Sequence, residues 1–545
     1  MPPMPTHEVQ NQVPPLVSYN LFSSDRVLVE ASQREGAAWI ADQAHRLGEK
    51  LGTEEAIQWG FDANIYPPTL HTHDARGERI DEVRFHPAWH ELMRLSVTFG
   101  LHCLPWTETR GAGHAARAAM FFLIGQNEAG HSCPISMTYA AVPVLRRQPQ
   151  LACNWEPRIA STQYDPRFLP AAEKSGVLVG MAMTEKQGGS DVRANTTRAV
   201  PVGAGGAGEE YRITGHKWFC SAPMCDAFLV LAQAPGGLSC FLLPRWTPDG
   251  RRNGFFLQRL KNKLGNRSNA SSEVEFENAF ATLVGDEGRG VRTIVEMVNH
   301  TRLDCTLGSA ALMRQAVVQA AHHARHRSTF GHRLVNQPLM QNVLADLAIE
   351  SEAATVLAMR LAGAYDRAEE SEARFRRIAT AVAKYWVCKR AAAHVCEALE
   401  CWGGNGFVED SIFPRLYRES PLNAIWEGSG NVICLDVLRA IGNEPDTMDT
   451  LLAEIALGRG NDRRFDAFAD SLSSEWQTLA SDQRQARRLV ERLALALQAS
   501  LVIRFSPAVV ADAFCASRLS TDGSRTFGTL PASVRFGEII DRAWS

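Results

Sequence analysis

The chain has 545 residues, of which 45% are hydrophobic and 21% charged, and its formal net charge is −3. This composition excludes a disordered or fibrous protein, and the length predicts two to four packed units rather than one core. The near-neutral charge gives no overall attraction to nucleic acids or membranes, so such a partner would need a local basic patch.

The N-terminal residues and the cysteine usage favour a cytoplasmic protein. The first ten residues lack the basic and apolar regions of a secretory signal, and no apolar run reaches the roughly 18 residues that a membrane-spanning helix needs. The 12 cysteines include no C-x-x-C pair, which argues against zinc and favours reduced thiols. We therefore expect a cytoplasmic location, no membrane partner and no metal site.

The spacing of apolar residues changes along the chain. It is mostly helical from about 25 to 175, changes to short strand-like runs such as A-F-L-V-L-A-Q (227–233), and becomes helical again from about 290. We expect an α+β protein with four domains: an N-terminal arm and helical domain (1–176), a β-barrel (177–287), a helical bundle (288–444) and a C-terminal helical extension (445–545).

One formal motif is rejected. Residues 203–208 read G-A-G-G-A-G and match the dinucleotide pattern G-x-G-x-x-G. That pattern holds a pyrophosphate where a helix begins directly after it, whereas two glutamates and the strand Y-R-I-T follow here. We interpret the segment as a flexible hairpin connection and expect no nicotinamide domain.

Two segments of the predicted barrel carry candidate ligand-binding groups. M-T-E-K-Q-G-G-S-D (183–191) ends a strand in a glycine-containing loop, where backbone amides and hydroxyls can approach a planar or anionic ligand. If the segment stood alone, a tight polar turn would be the favoured interpretation. In G-H-K-W-F-C-S-A (215–222), Trp218 and Phe219 are either core aromatics or the wall on which a flavin ring rests.

Two further segments follow helices of the C-terminal half. In R-S-T-F-G-H-R-L-V-N-Q (327–337), Arg327 is suited to a bidentate phosphate contact, although an arginine near a helix C-terminus also has a purely structural explanation. The glycines of C-W-G-G-N-G-F (401–407) first of all end a helix, and they would also let the backbone approach a pyrophosphate closely.

The fifth segment, I-W-E-G-S-G-N (425–431), contains a candidate general base. Glu427 lies between a bulky apolar dipeptide and a Gly-Ser-Gly turn that opens a helix. A carboxylate beside Trp426 in a water-excluded site can abstract a proton from a carbon acid. An isolated glutamate in such a turn would more often be a surface residue.

Together, the five segments in this order resemble the acyl-CoA dehydrogenase family over roughly residues 85–442. The resemblance implies that family's fold, a homotetramer, FAD as cofactor and an acyl-CoA thioester as substrate. Matched position by position, Glu427 would be the catalytic base that removes the α-proton of the thioester. The FAD-binding residues would be Met183, Thr184, Gly189, Ser190, Lys217, Trp218, Phe219, Ser221, Arg327, Phe330, Gln337, Gly403, Gly404, Ser429 and Asn431.

Two departures from the family pattern qualify this assignment. The interval from Arg327 to Gln337 is one residue shorter than usual, so the role of Gln337 is less secure than that of Arg327. The chain is also longer at both ends than ordinary members. Its extension lacks the basic amphipathic helix by which long-chain members reach a membrane, which disfavours that function.

The sequences of several segments resemble a branch of the family that bacteria induce under alkylating agents. These segments include K-L-G-N-R-S-N-A-S (263–271) and R-L-Y-R-E-S-P-L-N-A-I-W-E-G-S-G-N (415–431). That resemblance implies weak dehydrogenation of short or branched acyl-CoA and binding of double-stranded DNA through the C-terminal region. The alternative is an ordinary metabolic acyl-CoA dehydrogenase, similar to those acting on isovaleryl-CoA, without a DNA role.

The tail itself supports DNA binding only in part. Residues 446–545 carry a net charge of −1, whereas the part from Arg484 onward carries +4. Arginines recur every four residues at the start of a predicted helix, with leucines on another face. The stripe either contacts phosphates or is the solvated face of an amphipathic helix. The candidate DNA-contacting residues are Arg439, Arg484, Arg487, Arg488 and Arg492.

Overall fold

A computed structural model describes residues 6–520 and 526–544. The chain forms two compact units, and each is built from separate stretches of sequence. Unit 1 comprises residues 1–54, 114–126 and 305–545, and unit 2 comprises residues 55–113 and 127–304. Among the described residues, no helix combines the length and the apolar character that crossing a bilayer demands.

The part of the chain before the barrel is helical, as the apolar spacing predicts, apart from one hairpin. Its helices are α1 (Arg26–Arg34), α2 (Ala41–Leu51), α3 (Glu54–Ile65), α4 (Pro87–Thr98), α5 (Leu104–Thr107), α6 (Gly113–Asn127), α7 (Ser132–Leu145) and α8 (Pro149–Ile159). The hairpin pairs β1 (Thr69–His73) with β2 (Arg79–Arg84), which the sequence reasoning did not predict. Helix α4 starts where Pro87 occupies the first turn and the His86 ring accepts the Ala88 amide hydrogen.

Unit 2 contains a closed five-stranded barrel, and this confirms the predicted fold class. Its strands are β3 (Val179–Ala182), β4 (Arg198–Pro201), β5 (Glu210–Ser221), β6 (Ala227–Ala234), β7 (Gly237–Pro244), β8 (Phe255–Leu260) and β9 (Ser271–Val284). The ring runs β6–β4–β5–β9–β7 and closes through antiparallel pairing of β7 with β6. Strand β3 pairs parallel with β6, and β8 pairs with β9, both outside the ring.

The C-terminal half is helical. It contains α9 (Gly290–His326), a short hairpin of β10 (Ser328–Thr329) and β11 (His332–Arg333), α10 (Pro338–Asp366), α11 (Glu370–Glu400), α12 (Phe413–Glu419), α13 (Gly430–Asn443), α14 (Asp446–Ala456), α15 (Arg463–Ser481), α16 (Ala486–Phe505), α17 (Ala508–Arg518) and α18 (Phe536–Trp544). Nearly all of α10 from Leu344 to Ala364 is buried, so it forms the core of unit 1.

The C-terminal extension is part of the core of unit 1. Helix α16 packs on α10, α11, α13 and α14, and its residues from Leu493 to Val502 are almost all buried. Arg504, Arg518 and Arg542 form ion pairs with carboxylates of the same unit. The extension is therefore integral to the packing of unit 1.

Candidate functional site

In unit 2, the loop after β3 and the strand β5 are joined by backbone hydrogen bonds. The Trp218 amide donates to the Thr184 carbonyl at 2.8 Å, which brings the two barrel segments of the sequence together. A Cβ at Gly189 would lie 2.4 Å from the Thr184 hydroxyl oxygen, so only glycine permits this close fold of the loop. Met183 and Thr184 are half-buried, while Gly189 and Ser190 are exposed at the loop surface.

A buried ion pair fixes the same two segments to each other. Lys217 Nζ lies 2.8 Å from Glu185 Oε1 and donates to the Leu231 carbonyl at 2.7 Å, and both charged side chains are fully covered. Burial lowers the pKa of Lys217 to about 8, an effect that the Glu185 carboxylate only partly offsets. Burial opposes ionisation of Glu185, but Lys217 and hydrogen bonds from Thr196 and Thr197 outweigh it and lower the pKa of Glu185 to about 2. Both groups are therefore charged at neutral pH.

The aromatic pair of β5 is only partly covered. Phe219 is 50% exposed and Trp218 is half-buried, which does not fit the interpretation of Phe219 as a core aromatic. Lys261 Nζ lies 3.2 Å from the centre of the Trp218 ring and also contacts Glu273 at 2.6 Å. An exposed aromatic surface with a cation beside it suits a flat ligand that carries negative charge.

Strand β5 ends at Ser221, which is the last of the predicted flavin-lining residues of the barrel. The Ser221 hydroxyl lies 3.4 Å from the Ser271 hydroxyl on β9, which pairs with β5 at this point. Ser221 is half-buried. The eight predicted flavin-lining residues of the barrel thus come from one loop and one strand.

In unit 1, the segment 327–337 forms a tight hairpin that projects Phe330. Phe330 adopts a left-handed φ of 52° and is 96% exposed. The N-terminal arm holds the base of the hairpin, because Asn11 exchanges two hydrogen bonds with the backbone of Ser328 and its carbonyl accepts from Arg327. Gln337 donates to the Thr329 carbonyl at 3.1 Å, across the same hairpin.

Gly403 and Gly404 begin the 3-10 turn Gly403–Phe407 after α11. Gly403 has a φ of 59°, which supports its role in ending the helix. Both glycines are exposed, and a Cβ at either would meet no atom within 4 Å. The backbone here is open to a close approach by a ligand.

Glu427 lies in the connection between α12 and α13, and its backbone is unusual. Its φ is 57° and that of Gly428 is 106°, so two successive residues are in the left-handed half of conformational space. The side chain is half-buried, and its Oε2 atom is shielded from solvent. A non-glycine residue held at positive φ must be kept there by its surroundings, and such residues cluster at functional sites.

Two side chains hold the tryptophan that precedes Glu427. The Trp426 indole N–H donates to Asn423 Oδ1 at 2.8 Å, and the Asn423 amide donates to the Ser309 hydroxyl of α9 at 3.1 Å. This chain of hydrogen bonds fixes Trp426 against the part of α9 that belongs to unit 1. The turn that carries Glu427 is therefore rigidly placed.

The turn after Glu427 meets the C-terminal extension. Ser429 and Asn431 are exposed at the start of α13, and Asn431 Oδ1 accepts a hydrogen bond of 2.8 Å from Arg487 Nε. A residue predicted to bind FAD and a residue predicted to bind DNA thus contact each other. The C-terminal extension shares a surface with the start of α13.

The predicted arginine stripe is less uniform than its spacing indicates. Arg484 precedes α16 in a 3-10 turn and pairs with Asp482, because the carboxylate of Asp482 caps that turn. Arg492 is largely covered, lies over the Phe468 ring and donates to the Ser471 hydroxyl. Arg487 and Arg488 are exposed on α16. Arg439 is exposed on α13, 3.9 Å from Asp436.

Sequence reasoning missed three residues that support these sites. Glu185 lies inside a quoted motif and Asn11 inside the N-terminal arm, and neither was assigned a role. Lys384 is the third: it is a single lysine in the apolar run A-V-A-K-Y-W-V of α11, and it is buried. A charged residue within an apolar helical stretch was the signal that could have found it.

Models of three known protein domains match successive parts of the chain. Residues 11–166 match the model for the adaptive response protein AidB N-terminal domain. Residues 180–279 match the acyl-CoA dehydrogenase middle domain, and residues 288–442 match the acyl-CoA dehydrogenase C-terminal domain.

Individual relatives extend the similarity beyond these domains. The chain is 47% identical to AidB of Escherichia coli (strain K12) over 95% of each chain. It is 30% identical to acyl-CoA dehydrogenase family member 11 of Caenorhabditis elegans, over 83% of this chain and 74% of that one. The crystal structure of C. elegans ACDH-11 in complex with C11-CoA superposes with a TM-score of 0.83 at 25% identity, covering 99% of this chain and 93% of that one. Unlike the family models, the matches that cover 95% and 99% of this chain reach into the C-terminal extension.

Proposed function

Because the chain belongs to the acyl-CoA dehydrogenase family, we propose that it is an FAD-dependent dehydrogenase of acyl-CoA thioesters, with Glu427 as the base. The observation that carries this proposal is the fixed left-handed backbone at Glu427, in a turn anchored to the helices of unit 1. A strained, rigid conformation is expected where a carboxylate must meet one particular C–H bond.

The residues present fit FAD. Phe219 and Phe330 expose aromatic surface that a bound ligand would cover, and the open backbone at Gly403 and Gly404 suits a pyrophosphate. Arg327 would supply charge for a phosphate. The residues that would hold the cofactor are Met183, Thr184, Gly189, Ser190, Lys217, Trp218, Phe219, Ser221, Arg327, Phe330, Gln337, Gly403, Gly404, Ser429 and Asn431.

The chain's own contribution to the reaction is a positioned base. The Glu427 carboxylate takes the α-proton of the thioester as the α–β bond becomes a double bond. FAD, when bound, supplies the acceptor for the β-hydride, so one proton and one hydride leave the substrate together. Trp426 and Asn423 keep the base in place, and burial of the Glu427 Oε2 atom limits the access of water to the carboxylate.

Replacing Glu427 tests the assignment of the base. We expect Glu427→Gln to abolish turnover of acyl-CoA, since an amide cannot accept the proton, while FAD remains bound at one per chain. Stopped-flow bleaching of the flavin absorbance measures turnover, and the flavin spectrum after gel filtration measures retention. Turnover retained within tenfold of the unmodified protein would remove Glu427 from this role.

We further propose that the substrates are short or branched acyl-CoA thioesters, turned over slowly by a cytoplasmic homotetramer that acts in the response to alkylating agents. The 47% identity to the E. coli relative over 95% of both chains supports this branch of the family rather than an ordinary metabolic dehydrogenase. The C. elegans neighbour was crystallised with C11-CoA, so acyl chains of that length belong in the substrate panel.

Binding of double-stranded DNA is proposed as a second property. Arg488 of the extension is exposed, and Arg439 on α13 is exposed although it lies 3.9 Å from Asp436, so both can meet phosphates. Most other arginines in the described part of the extension are neutralised by carboxylates. Contacts of this kind are independent of base sequence and weaken steeply with salt.

The double variant Arg439→Gln, Arg488→Gln tests this property without disturbing the core. We expect weaker binding to a DNA duplex and a salt slope reduced by about 2, since each lost phosphate contact lowers the slope by about 1. Arg76→Gln is the control, because Arg76 is exposed on the β1–β2 turn of unit 2. Fluorescence anisotropy across a salt series measures both quantities. A flat slope for the unmodified protein, or an equal loss in the control, would contradict DNA binding by these arginines.

A further inference from the structure

Lys384 is a buried lysine whose hydrogen-bond partners flank Glu427. It lies in the middle of α11 and is 1% exposed. Its ammonium donates to the Trp426 carbonyl at 2.8 Å and to the Gly428 carbonyl at 2.5 Å. These are the residues immediately before and after Glu427, so one side chain holds the backbone on both sides of the base.

The partners of Lys384 make it more than a packing residue. Taking an ammonium out of water is costly, and buried lysines usually meet a carboxylate, as Lys217 and Lys174 do in unit 2. The partners of Lys384 in the described part of the chain are backbone carbonyls instead. A charge-assisted bond to each carbonyl is stronger than a neutral one, and the two together fix the orientation of the intervening residue.

The conformation between those carbonyls is one that a chain does not hold unaided. Glu427 and Gly428 have φ values of 57° and 106°. A glutamate at positive φ costs free energy and would relax toward negative φ if its surroundings allowed. Asn423 fixes the Trp426 side chain from the side of α9. Lys384, on α11, instead binds the backbone carbonyls on either side of Glu427.

We propose that Lys384 is the positioning residue for the catalytic base: it holds the carbonyls of Trp426 and Gly428 so that the Glu427 carboxylate points at the α-carbon of the bound thioester. This inference rests on the proposed function of Glu427. Lys384 acts through the backbone and takes no proton. Its loss therefore affects the proton-transfer step and leaves the binding of FAD and of acyl-CoA intact.

Three variants of the full-length protein loaded with FAD test the proposal. Lys384→Met removes both hydrogen bonds to the turn and nearly keeps the length of the side chain. Lys384→Gln keeps an uncharged N–H donor group. Lys389→Met is the matched control, since it removes an exposed lysine of the same helix. The readouts are FAD per chain, kcat and KM for one acyl-CoA, and exchange of its α-protons with D2O, which reports on the base alone.

For Lys384→Met we expect kcat and α-proton exchange to fall about 100-fold, the size of effect that a displacement of about 1 Å produces. FAD content and KM should stay within twofold. Lys384→Gln should recover part of the loss, and Lys389→Met should match the unmodified protein. If Lys384→Met does not fold, Lys384→Gln tests the proposal instead. For this variant we expect an α-proton exchange rate at least tenfold below that of the unmodified protein, at unchanged KM.

Exchange and kcat within twofold of normal in the folded Lys384 variants would overturn the proposal, and so would a loss confined to KM or FAD content. Failure of the proposed function has a different signature. In that case the unmodified protein exchanges no α-protons of any thioester, and Glu427→Gln changes nothing.

Discussion

Lys217 and Lys384 show how the same residue type serves two purposes. Lys217 pairs with the carboxylate of Glu185 and joins two segments of the barrel, whereas Lys384 meets two carbonyls beside Glu427. In both cases a buried charge fixes a segment that carries proposed site residues. Apolar contacts depend less on direction than hydrogen bonds from a buried ammonium group do. The buried polar contacts therefore set the geometry of these loops.

The Glu185–Lys217 pair predicts a specific dependence of stability on pH. The pKa of Glu185 falls from 4.5 to about 2 on folding, so its contribution to stability is complete above pH 4.5 and is lost as the pH falls toward 2. We expect Glu185→Gln to lower the free energy of unfolding at pH 7 by about 3–5 kcal/mol, because Lys217 remains buried without its partner.

Urea unfolding of both proteins between pH 7 and pH 3 measures this difference. It should be constant down to about pH 4.5 and shrink below it. Glu275→Gln is the control, since Glu275 is exposed on β9 and its loss should change the free energy of unfolding by less than about 0.5 kcal/mol. A difference that does not shrink in acid would contradict the assigned role of the pair.

At the scale of elements, the sequence predicted which segments form helices and strands better than it predicted which elements pack against each other. The apolar run of β6 was sufficient to predict a barrel strand. The β1–β2 hairpin was missed because its strands are short and largely polar. The spacing of Arg484 matched a helix, but Asp482 caps a 3-10 turn there and Arg484 lies outside α16.

Helix α16 shows why the role of the extension could not be predicted from composition. Its spacing predicted an amphipathic helix with an arginine face and a leucine face, and the leucines are buried against the helices of unit 1. The periodicity shows an apolar face but not which surface covers it. For the same reason, removal of residues 446–545 would expose the core of unit 1, and single substitutions are the better probe of DNA binding.

At the scale of the whole molecule, the family could be predicted from the order of five short motifs, whereas the contacts of the candidate residues within each unit could not. The loop after β3 joins β5 in unit 2, and the turn with Glu427 adjoins the start of α13 in unit 1. The net charge of the extension was a poor guide, because Arg504, Arg518 and Arg542 neutralise carboxylates of the core. Charge counted along a sequence does not distinguish paired from exposed residues.

The activity proposed for this chain is the dehydrogenation of acyl-CoA thioesters with FAD as the oxidant. Anaerobic titration of the purified protein with a panel of acyl-CoA thioesters tests this most directly, with flavin absorbance as the readout. We predict that short or branched thioesters bleach the oxidised flavin bands. Bound flavin that stays oxidised with every thioester of the panel would contradict the proposed dehydrogenase activity.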